Sequence, residues 1–421
     1  MPLLLILGYV WPEPKSSAAG WRMLSLIQLY RAKHWRIIFA CPAELSVHRF
    51  DLTAWGVEEV QIELNSSSFA EQLANWQPDA VLFDRFMLEE QFGWRVDEIC
   101  PAAVKLLDSE DLHCLRFARH QAFKQQRTLT RADLRSELAQ REIAAILRCD
   151  LTLTISEYEM TLLQQEYAVP ATQLLYVPFL IELPDGRAHA EFAARQHCCF
   201  IGNFRHEPNW QAVLQLRRIW PQIRQQLPGV ELHIYGAYPP PKATALHDPK
   251  LGFCIKGWAD DSQQVLAQSR ICVAPIAFGA GLKGKFIDAM LAGTPSVTTS
   301  VGAEAMVEPH SGAWCGIIAD SDDELIAATV LLYQDQQRWL LAQQVGDRIL
   351  QQRFQLSYWQ PIVWNQLLQV QQNLDAHRLQ HFTGSMLKHH HQRSTKFMAQ
   401  WIEAKNKLAQ QSIQQEELGS D

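Results

Sequence analysis

The sequence lacks the patterns that mark several large classes of protein. Nine cysteines are scattered among its 421 residues without a CxxC pair, so neither a zinc site nor a disulfide framework can be read from them. This use of cysteine favours a reducing compartment. No window approaches the roughly 18 consecutive apolar residues that a membrane span needs. A formal net charge of −7 argues against a nucleic-acid partner held by a basic field.

The amino terminus also lacks the features of a signal peptide. Its first residues, MPLLLILGYVWPEPK, contain an apolar run of only about five residues and no preceding basic segment. We interpret this run as a first buried strand and expect a soluble, cytoplasmic protein. Peripheral contact with the inner face of a membrane is left open, although the sequence shows no convincing basic amphipathic helix.

Short apolar runs alternate with helical patterns throughout the first half. Strands are predicted in LLLILGY, WRIIFAC, VEEVQIEL, PDAVLFD and AAVKLLD, and WRMLSLIQLYRAK has apolar residues at helical spacing. A long helical region is predicted from Glu110 to Arg148, followed by strands in DLTLTIS and LLYVPFLIEL. Such alternation is typical of a parallel α/β sheet.

The same alternation begins again after a polar stretch from Leu183 to Gln196. Strands are predicted in HCCFIGNFR, VELHIYGA, GFCIKGW, SRICVAPI and TPSVTTS, with an amphipathic helix between the first two. We therefore expect two doubly wound, Rossmann-like domains over residues 1–185 and 195–350. Ligands of such sheets bind outside the carboxyl ends of the strands, so the cleft between the domains is the expected site.

Residues 351–421 are predicted as a helical extension. Its Gln-rich helices are expected to pack back over the domains, and the chain from about residue 387 onward is expected to attach loosely. KHHHQ, at Lys388–Gln392, raises the question of a metal site. Adjacent side chains on a helix point in different directions, so a solvated patch is the favoured interpretation.

One segment combines glycine and lysine at a junction between strand and helix. APIAFGAGLKGKFIDAM, from Ala274 to Met290, places Lys283 and Lys285 among three glycines. Phe286 stands where the GxxxxGK[ST] loop needs Ser or Thr, and GAGLKG only approaches GxGxxG. Glycines still let backbone N–H groups approach an anion, and a helix N-terminus with two ammonium groups adds positive charge. On chemistry alone, a pyrophosphate site and a solvated Gly-rich turn are equal alternatives.

The second half resembles the group 1 glycosyltransferases, a large retaining family with the GT-B fold. The resemblance is carried, in order, by CCFIGNFRHEPNWQAVLQL, LPGVELHIYG, FCIKGWADD and APIAFGAGLKGKFIDAMLAGTPSVTTSVGAEAM. PEPKSSAAGWR, DSEDLHCLR and ISEYE extend it less specifically into the first half. It implies two Rossmann-like domains that face each other across a cleft. It also implies a nucleotide-diphosphate sugar held mainly by the C-terminal domain, with no metal and no cofactor.

The resemblance assigns the donor diphosphate to loops of the C-terminal domain. Arg205, after the first strand of that domain, and Lys285, just before the helix, match basic residues of the family and are the expected catalytic cations. Lys283 occupies a more variable position. The alternatives are an Arg205 that pairs with a carboxylate and a lysine that is only solvated. Backbone N–H groups would complete the cradle, namely those of Gly281, Leu282 and Gly284.

Other positions match the family's contacts with the nucleoside. Gly236 and Gly257–Trp258 lie where such contacts are made, and Trp258 either borders the base or is a core or rim residue. Asp288, one turn into the helix, would accept hydrogen bonds from a ribose diol, unless it caps the helix or faces water. The family's usual signature has paired glutamates, whereas this sequence has Ala280 and Asp288. That departure fits a variant with a GAG-K-K loop, in which Glu304 is a candidate to compensate.

The first half supplies a flexible loop, PKSSAAG, that contains Ser16, Ser17 and Gly20. By resemblance, this loop approaches the diphosphate or the acceptor and is able to close over the ligand. The alternative is an ordinary surface loop.

A second candidate region follows KLLD. The family often places a histidine there, facing the reacting sugar. This sequence has Asp108, Ser109 and Glu110, with His113 further along, so His113 is the candidate that faces the cleft. A structural histidine is the alternative, and Asp108 and Glu110 fit equally as helix-capping residues.

Together, the residues and the resemblance predict a retaining glycosyltransferase. It would move a hexosyl group from a nucleotide-diphosphate sugar to an acceptor hydroxyl in glycan or cell-surface polysaccharide synthesis. Glycan, lipid-linked and protein acceptors are all left open. One alternative is a sugar-nucleotide-binding or scaffolding protein without turnover, motivated by Ala280 and by the missing histidine. Another is a UDP-sugar epimerase of the GT-B fold.

Overall fold

The computed structural model describes residues 1–184 and 186–418, except for the side chains of residues 390–393, 407 and 410–418. It confirms an α/β fold of two parallel sheets with helices at the carboxyl-terminal end of the chain. The first sheet has the order β3-β2-β1-β4-β5-β6-β7. Its strands are β1 (Leu3–Leu7), β2 (Arg36–Cys41), β3 (Glu58–Gln61), β4 (Ala80–Asp84), β5 (Val104–Asp108), β6 (Leu151–Thr154) and β7 (Leu174–Tyr176).

The second sheet has the order β10-β9-β8-β11-β12-β13, and its neighbouring strands are also parallel. Its strands are β8 (Gln196–Ile201), β9 (Leu232–Tyr235), β10 (Phe253–Gly257), β11 (Ser269–Ala274), β12 (Ser296–Thr298) and β13 (Gly316–Ile318). The expected domain boundaries near residues 185 and 195 fall between β7 and β8. They stay a prediction, because helices beyond residue 350 return to the first sheet.

Helices follow most strands and cover the sheets. Those of the first half are α1 (Ala18–Arg31), α2 (Ser68–Trp76), α3 (Phe86–Ile99), α4 (His113–Lys124), α5 (Glu137–Arg148) and α6 (Glu157–Tyr167). Those of the second half are α7 (Glu207–Gln226), α8 (Pro241–Thr244), α9 (Ser262–Gln268), α10 (Gly284–Leu291), α11 (Ser300–Ala303), α12 (Asp322–Gln334) and α13 (Gln336–Ile349). The chain then forms α14 (Leu356–Gln372), α15 (Leu374–Leu379) and α16 (Phe382–Leu418).

The uniform apolar run of β1 follows from burial on both faces of the sheet. Leu3, Leu5 and Leu7 join the apolar cluster on one face, and Leu4 and Ile6 join the cluster on the other. Successive side chains of a strand point to opposite faces, so a central strand covered by helices on both sides needs apolar residues at every position.

Two tryptophans anchor helices on the second sheet. Trp220 of α7 and Trp339 of α13 are fully buried. Each indole N–H donates to a backbone carbonyl, of Leu251 at 3.0 Å and of Arg270 at 2.6 Å. A large apolar side chain is therefore buried without leaving its one polar group unpaired.

The helical region predicted from Glu110 to Arg148 contains two separate helices, α4 and α5. Between them, Thr130 and Asp133 form a reciprocal capping box at a short 3₁₀ turn, Arg131–Arg135. Ser136 then caps α5 by accepting from a backbone N–H of its first turn. Such side-chain bonds offer the backbone an alternative to a continuous helix.

Two strand predictions also need correction. LLYVPFLIEL forms a strand only over Leu174–Tyr176, and Pro178 has no backbone N–H with which a ladder could continue. The edge strand Gly316–Ile318 was not predicted, because three partly exposed residues carry no strand pattern.

The carboxyl-terminal helices pack on the first half more closely than expected. Trp364 of α14 contacts Tyr30 and Trp35 edge-on. The first part of α16 lies on α3 and α5, with Ala399 buried and Lys396 paired with Glu98. The loose attachment expected from about residue 387 is therefore wrong for this part of α16. No helix in the described part of the chain is both long and apolar enough to cross a membrane.

Candidate active site at the carboxyl ends of the two sheets

The glycine-rich loop after β11 contacts the loop after β5 across the two halves. Gly281 has φ of +61°, and a Cβ built on it would lie 2.8 Å from Cβ of Asp111. A Cβ on Gly284 would lie 2.6 Å from Cβ of Ala18 in α1. A side chain at either position would force the halves apart. The glycines therefore serve a close approach between the two sheets as well as the loop conformation.

Both predicted lysines lie in this loop, one on each side of the start of α10. The Lys285 ammonium donates to Oδ1 of Asn209 at 2.5 Å and lies 4.7 Å from the Phe200 ring centroid. The Lys283 ammonium donates to the Gly281 carbonyl at 2.9 Å. Burial lowers the pKa of each lysine to about 8. Both remain mostly protonated at neutral pH, and no carboxylate of a described residue forms an ion pair with either ammonium, so an anionic ligand would be favoured here.

One buried carboxyl of α6 holds the glycine-rich loop. Oε1 of Glu159 accepts the N–H of Gly281 at 2.7 Å and the N–H of Leu112 at 3.0 Å. Burial raises the pKa of Glu159 to about 8. The Gly281 N–H, expected in the diphosphate cradle, is thus already engaged, while Leu282 is a buried side chain beside it. The N–H groups of Gly284 and Lys285 begin α10 and have no acceptor within the helix.

Sequence reasoning missed Glu159. It stands in ISEYE, a segment that carried the resemblance, but its partner Gly281 lies 122 residues further along the chain. No local periodicity or spacing assigns such a contact.

His113 is the first residue of α4. It lies beside the junction of the loop after β5 with the glycine-rich loop, and we call this junction the crevice. Its Nε2 is 3.6 Å from Oδ1 of Asp111, and its ring meets the Phe86 ring edge-on. Burial lowers the pKa of His113 to about 4, and the guanidinium groups of Arg116 and Arg85 add to this effect while Asp111 opposes it. The imidazole is therefore neutral at pH 7.

The other two candidates after β5 differ from His113. Asp108 is fully buried and forms an ion pair with Arg22 of α1 at 2.7 Å, so it ties α1 to the sheet and does not cap a helix. Glu110 adopts φ of +59°. Burial and the neighbouring Asp108 and Asp84 raise the pKa of Glu110 well above its usual range.

Arg205 lies on the loop after β8 and is exposed. Its guanidinium stacks 3.6 Å from the ring centroid of Tyr238. The Tyr238 hydroxyl in turn donates to the Glu13 carboxylate, at 2.9 and 3.1 Å, from the other half of the molecule. Arg205 is therefore held by an aromatic ring that itself contacts the first half.

The residues predicted to contact a nucleoside lie on neighbouring strand ends. A Cβ on Gly236 would lie 2.0 Å from the Gly202 carbonyl, so only glycine fits this approach. Trp258 stacks on His48 of the first half, with ring centroids 4.1 Å apart. Asp288 of α10 accepts from Gln263 at 3.3 Å, and burial raises its pKa to about 6.

The loop PKSSAAG forms the start of α1. Oγ of Ser17 accepts the N–H of Gly20 at 3.1 Å as the helix cap, and a Cβ on Gly20 would lie 2.5 Å from the Glu13 backbone. Ser16 pairs with the Glu13 carboxylate. In this structure Gly20 therefore serves the turn into α1, and its N–H is engaged.

Glu304 joins the two halves. Its carboxylate forms a two-point ion pair with Arg119 of α4, at 2.9 and 2.7 Å, and Arg119 also donates to the Gly279 carbonyl at 2.7 Å. Glu304 was the candidate to compensate for the glutamate missing at position 280. Its carboxylate is engaged in a bridge between the halves.

Metal-ligand geometry occurs away from this crevice. Among the described residues, His197, Glu231 and His233 could hold a metal ion. They lie at the amino ends of β8 and β9, whereas the glycine-rich loop follows the carboxyl end of β11. Nδ1 of His197 already accepts the N–H of Glu231 at 3.1 Å. Metal binding through Nε2 would place the ring proton on Nδ1, and this hydrogen bond would then be lost. The side chains of residues 390–392 in KHHHQ lie outside the described residues.

Several solved structures share this architecture. Sucrose-phosphate synthase from Thermosynechococcus elongatus is 15% identical, with 89% of this chain and 100% of that chain covered and a TM-score of 0.62. HepE from Anabaena, in complex with UDP-glucose, is 14% identical, with 87% and 99% covered and a TM-score of 0.64. TarM from S. aureus, bound to fondaparinux, α-GlcNAc-glycerol and UDP, is 11% identical, with 72% and 58% covered and a TM-score of 0.55. No curated protein matches the chain in sequence.

The two parallel sheets and their helices are the GT-B architecture of these glycosyltransferase structures. Residues 195–335 match the family described as "Glycosyl transferases group 1". The second half is therefore a group 1 glycosyltransferase domain, and the resemblance seen in its motifs is confirmed. The assignment to a GAG-K-K variant and the roles of individual site residues stay predictions.

Proposed function

We propose that this enzyme transfers a hexosyl group from a nucleotide-diphosphate sugar to an acceptor hydroxyl, with retention at the anomeric carbon. The observation that carries the proposal is the placement of Lys283 and Lys285 at the start of α10, in the loop whose Gly281 lies against Asp111 of the first half. Two partly buried ammonium groups without a carboxylate partner of their own are suited to a diphosphate.

The chemistry required of the site is stabilisation of a leaving group. The nucleoside diphosphate gains negative charge as its bond to the sugar breaks. The two ammonium groups and the N-terminus of α10 are fixed in place before that charge develops, which is the arrangement that lowers a barrier most effectively. Arg205, stacked on the Tyr238 ring, would add a further cation. We propose that these groups act without a divalent metal.

The neutral His113 would act as a hydrogen-bond partner of the reacting sugar. Its low pKa prevents it from serving as a strong base at neutral pH. Nδ1 or Nε2 of a neutral imidazole can accept from a sugar hydroxyl, depending on the tautomer. Retention in this proposal rests on the family.

HepE and TarM guide the choice of substrates. The HepE structure contains UDP-glucose, and the TarM structure contains UDP with α-GlcNAc-glycerol and fondaparinux. We propose UDP-sugars as the first donors to examine, and a glycan as the first acceptor, in polysaccharide or other cell-surface glycan synthesis.

A donor and acceptor panel tests the proposal. UDP-, GDP- and ADP-sugars are incubated with oligosaccharide and lipid-linked acceptors, nucleoside diphosphate release is measured, and the product anomer is assigned by proton NMR. The expected result is one nucleoside diphosphate per glycosidic bond, with the donor's anomeric configuration kept. Nucleotide binding without turnover would instead support the binding protein motivated by Ala280. Interconversion of the donor without acceptor would identify an epimerase.

A further inference from the structure

Two residues other than glycine adopt a strained backbone at neighbouring strand ends of the first sheet. Arg85, directly after β4, has φ of 74° and ψ of 158°, a region that is almost confined to glycine. Glu110, after β5, has φ of +59°. The ends of β4 and β5 lie side by side, because Asp84 is in register with Asp108. Strain of this kind persists only where the surrounding structure imposes it, and it is typical of active sites and ligand-binding sites.

The side chains at these strand ends have polar groups without a partner. Within the described part of the chain, no group accepts a hydrogen bond from the Arg85 guanidinium, and none donates to the Glu110 carboxyl. Oδ1 of Asp84 lies 3.7 Å from Nε of Arg85, which is too long for a hydrogen bond. That oxygen is buried without a hydrogen-bond partner, in a residue that is only 4% exposed. Each of the three side chains can therefore still form hydrogen bonds with a ligand.

An exposed aromatic ring lies beside these polar groups. Tyr9 follows β1, which pairs with β4, and it is 44% exposed. Its N–H donates to Oδ2 of Asp84 at 2.9 Å, and the Arg85 guanidinium lies 5.0 Å from its ring centroid. We call Tyr9, Asp84, Arg85 and Glu110 the strand-end cluster. One aromatic surface with a few convergent polar groups is the usual composition of a small-molecule site.

The strand-end cluster borders the glycine-rich loop of the second half. A Cβ on Gly281 would lie 3.4 Å from the Glu110 carbonyl. A ligand held by the cluster would therefore lie next to the loop that we propose for the donor diphosphate.

The polar groups of the cluster favour hydroxyl groups over an anion. A carboxylate or phosphate at Arg85 would also approach the carboxyl groups of Asp84 and Glu110, and like charges at close range oppose binding. Neighbouring hydroxyls can accept from a guanidinium and donate to carboxyl oxygens at the same time. Burial raises the pKa of both carboxyl groups, and a protonated carboxyl can also donate to a hydroxyl.

We propose that the strand-end cluster binds the acceptor, and that the group it binds is an uncharged hexosyl residue of a glycan. One face of the sugar ring would pack on Tyr9, and its hydroxyls would accept from Arg85 and donate to Asp84 and Glu110. This inference rests on the proposed function and names the acceptor chemistry that the function leaves open.

Binding of small sugars to the full chain tests the proposal. The neutral probes are the methyl glycosides of glucose, galactose, mannose and N-acetylglucosamine, and the anionic probes are methyl glucuronoside and glucose 6-phosphate. Affinities are measured by ligand-observed NMR without donor, so the result does not depend on glycosyl transfer. The test variant is Tyr9→Ala with Arg85→Lys, in which a cation remains beside Asp84 but the planar fork of the guanidinium is lost.

The matched control is Tyr358→Ala with Arg36→Lys. It changes an exposed tyrosine of α14 and an exposed arginine at the amino end of β2. Thermal unfolding verifies that both variants are folded. Calorimetric titration of a nucleoside diphosphate should give the wild-type affinity in both, whereas a general disturbance of the crevice would change it in the test variant.

The wild type and the control are expected to bind at least one neutral glycoside and to bind it more tightly than either anionic probe. The test variant should lose at least about tenfold in that affinity, as expected for a hydrogen bond that involves a charged group. The proposal is overturned if the wild type binds no neutral glycoside, if an anionic probe binds more tightly, or if the test variant binds equally well.

Failure of this proposal and failure of the proposed function are distinguishable. Binding of a neutral glycoside by the cluster, without transfer to it from any donor, would support the subsite and contradict the proposed function. Glycosyl transfer that is unchanged in the test variant at low acceptor concentration would support the proposed function and overturn the subsite.

Discussion

At the scale of single residues, the site depends on charges held partly out of water. Lys283 and Lys285 have a pKa of about 8 because burial disfavours the ammonium form. Glu304 opposes this effect at Lys283, and the charge of Lys283 adds to it at Lys285. Asp288 has a pKa of about 6 for the same reason, since burial disfavours its carboxylate. A donor diphosphate needs the lysines charged, and a ribose diol is best accepted by an ionised Asp288.

These values predict a bell-shaped pH dependence of kcat/KM for the donor. Below about pH 6 Asp288 becomes protonated, and above about pH 8 the lysines lose their charge, so both limbs should fall away from a maximum near pH 7. Because kcat/KM reports the free enzyme, initial rates at low donor concentration are the measurement. Replacement of both lysines by arginine should move the basic limb upward. A profile that stays level to pH 9.5 would contradict the assignment.

The residues that sequence alone could find are those in local patterns. Lys283, Lys285 and Asp288 follow a strand and begin a helix, so their placement at one loop was predictable. Glu159, Arg119 and Arg22 were not, because each is defined by a partner far along the chain. Gly281 shows the limit most clearly. The sequence predicted a binding role for its backbone N–H, but it did not predict that the Glu159 carboxyl accepts that N–H.

At the scale of elements, α6 connects the two loops that line the crevice. Glu159 accepts from Leu112, just before α4, and from Gly281, before α10. The residue that begins α4 is His113. A single oxygen of α6 therefore fixes the relative position of the histidine and of the glycine-rich loop.

Substitution of Glu159 should separate its role as an acceptor from its charge. Glu159→Gln keeps an oxygen for both N–H groups, and we expect near wild-type kcat at pH 7. Glu159→Ala leaves two buried N–H groups without that acceptor, at about 1–3 kcal/mol each, and should lower both the melting temperature and kcat. Thermal unfolding and steady-state rates are the measurements. If the Gln variant is as impaired as the Ala variant, the acceptor role is wrong.

The same carboxyl predicts a pH-dependent difference in stability. Its pKa is about 8 in the folded protein and 4.5 as the ordinary value, so unfolding releases a proton between these values. Stability contributed by the protonated group is full below pH 4.5 and is lost as pH rises through 8. The melting temperature of Glu159→Gln minus that of the wild type should therefore be more positive at pH 8.5 than at pH 5.5. Equal differences at the two pH values would contradict a raised pKa.

The elements themselves were largely predictable from local pattern. β1 is apolar at every position because it is covered on both faces. The break between α4 and α5 was not predicted, because it depends on a capping box inside a helix-compatible sequence. β13 was missed because a short edge strand has no burial pattern to reveal it.

At the scale of the whole molecule, the two halves meet through specific contacts at the crevice. Arg119 and Glu304 form a two-point ion pair whose side chains are only 11% and 16% exposed. Trp258 stacks on His48 as a second contact between the halves. The Arg119 contacts hold the glycine-rich loop and α4 close together.

Arg119→Ala should open this arrangement. Removing one partner of a mostly buried pair leaves the other carboxylate unpaired, at a cost of about 3–5 kcal/mol, so we expect a larger radius of gyration by X-ray scattering and a lower kcat/KM. The matched control is Arg218→Ala, which breaks an exposed pair with Asp322 within the second half and should cost less than about 1 kcal/mol. Indistinguishable behaviour of the two variants would show that the bridge between the halves is unimportant.

The two-sheet architecture and the family were predictable from the order of motifs, whereas the contacts between the halves were not. The composition of the segment from Ala274 to Met290 left a diphosphate site and a solvated turn as equal alternatives, and only the resemblance favoured the diphosphate site. That the same glycines also let the halves touch, at Asp111 and Ala18, depends on how two separately patterned sheets face each other.

The central claim is that the loop before α10 holds the donor diphosphate, and calorimetric titration of a nucleoside diphosphate into the wild type and Lys285→Ala tests it most directly. A charge-assisted contact contributes about 1.5–3 kcal/mol, so the dissociation constant should rise at least about tenfold in Lys285→Ala. It should stay at the wild-type value in Lys250→Ala, a substitution of an exposed lysine remote from the loop. An unchanged dissociation constant in Lys285→Ala would contradict the diphosphate assignment.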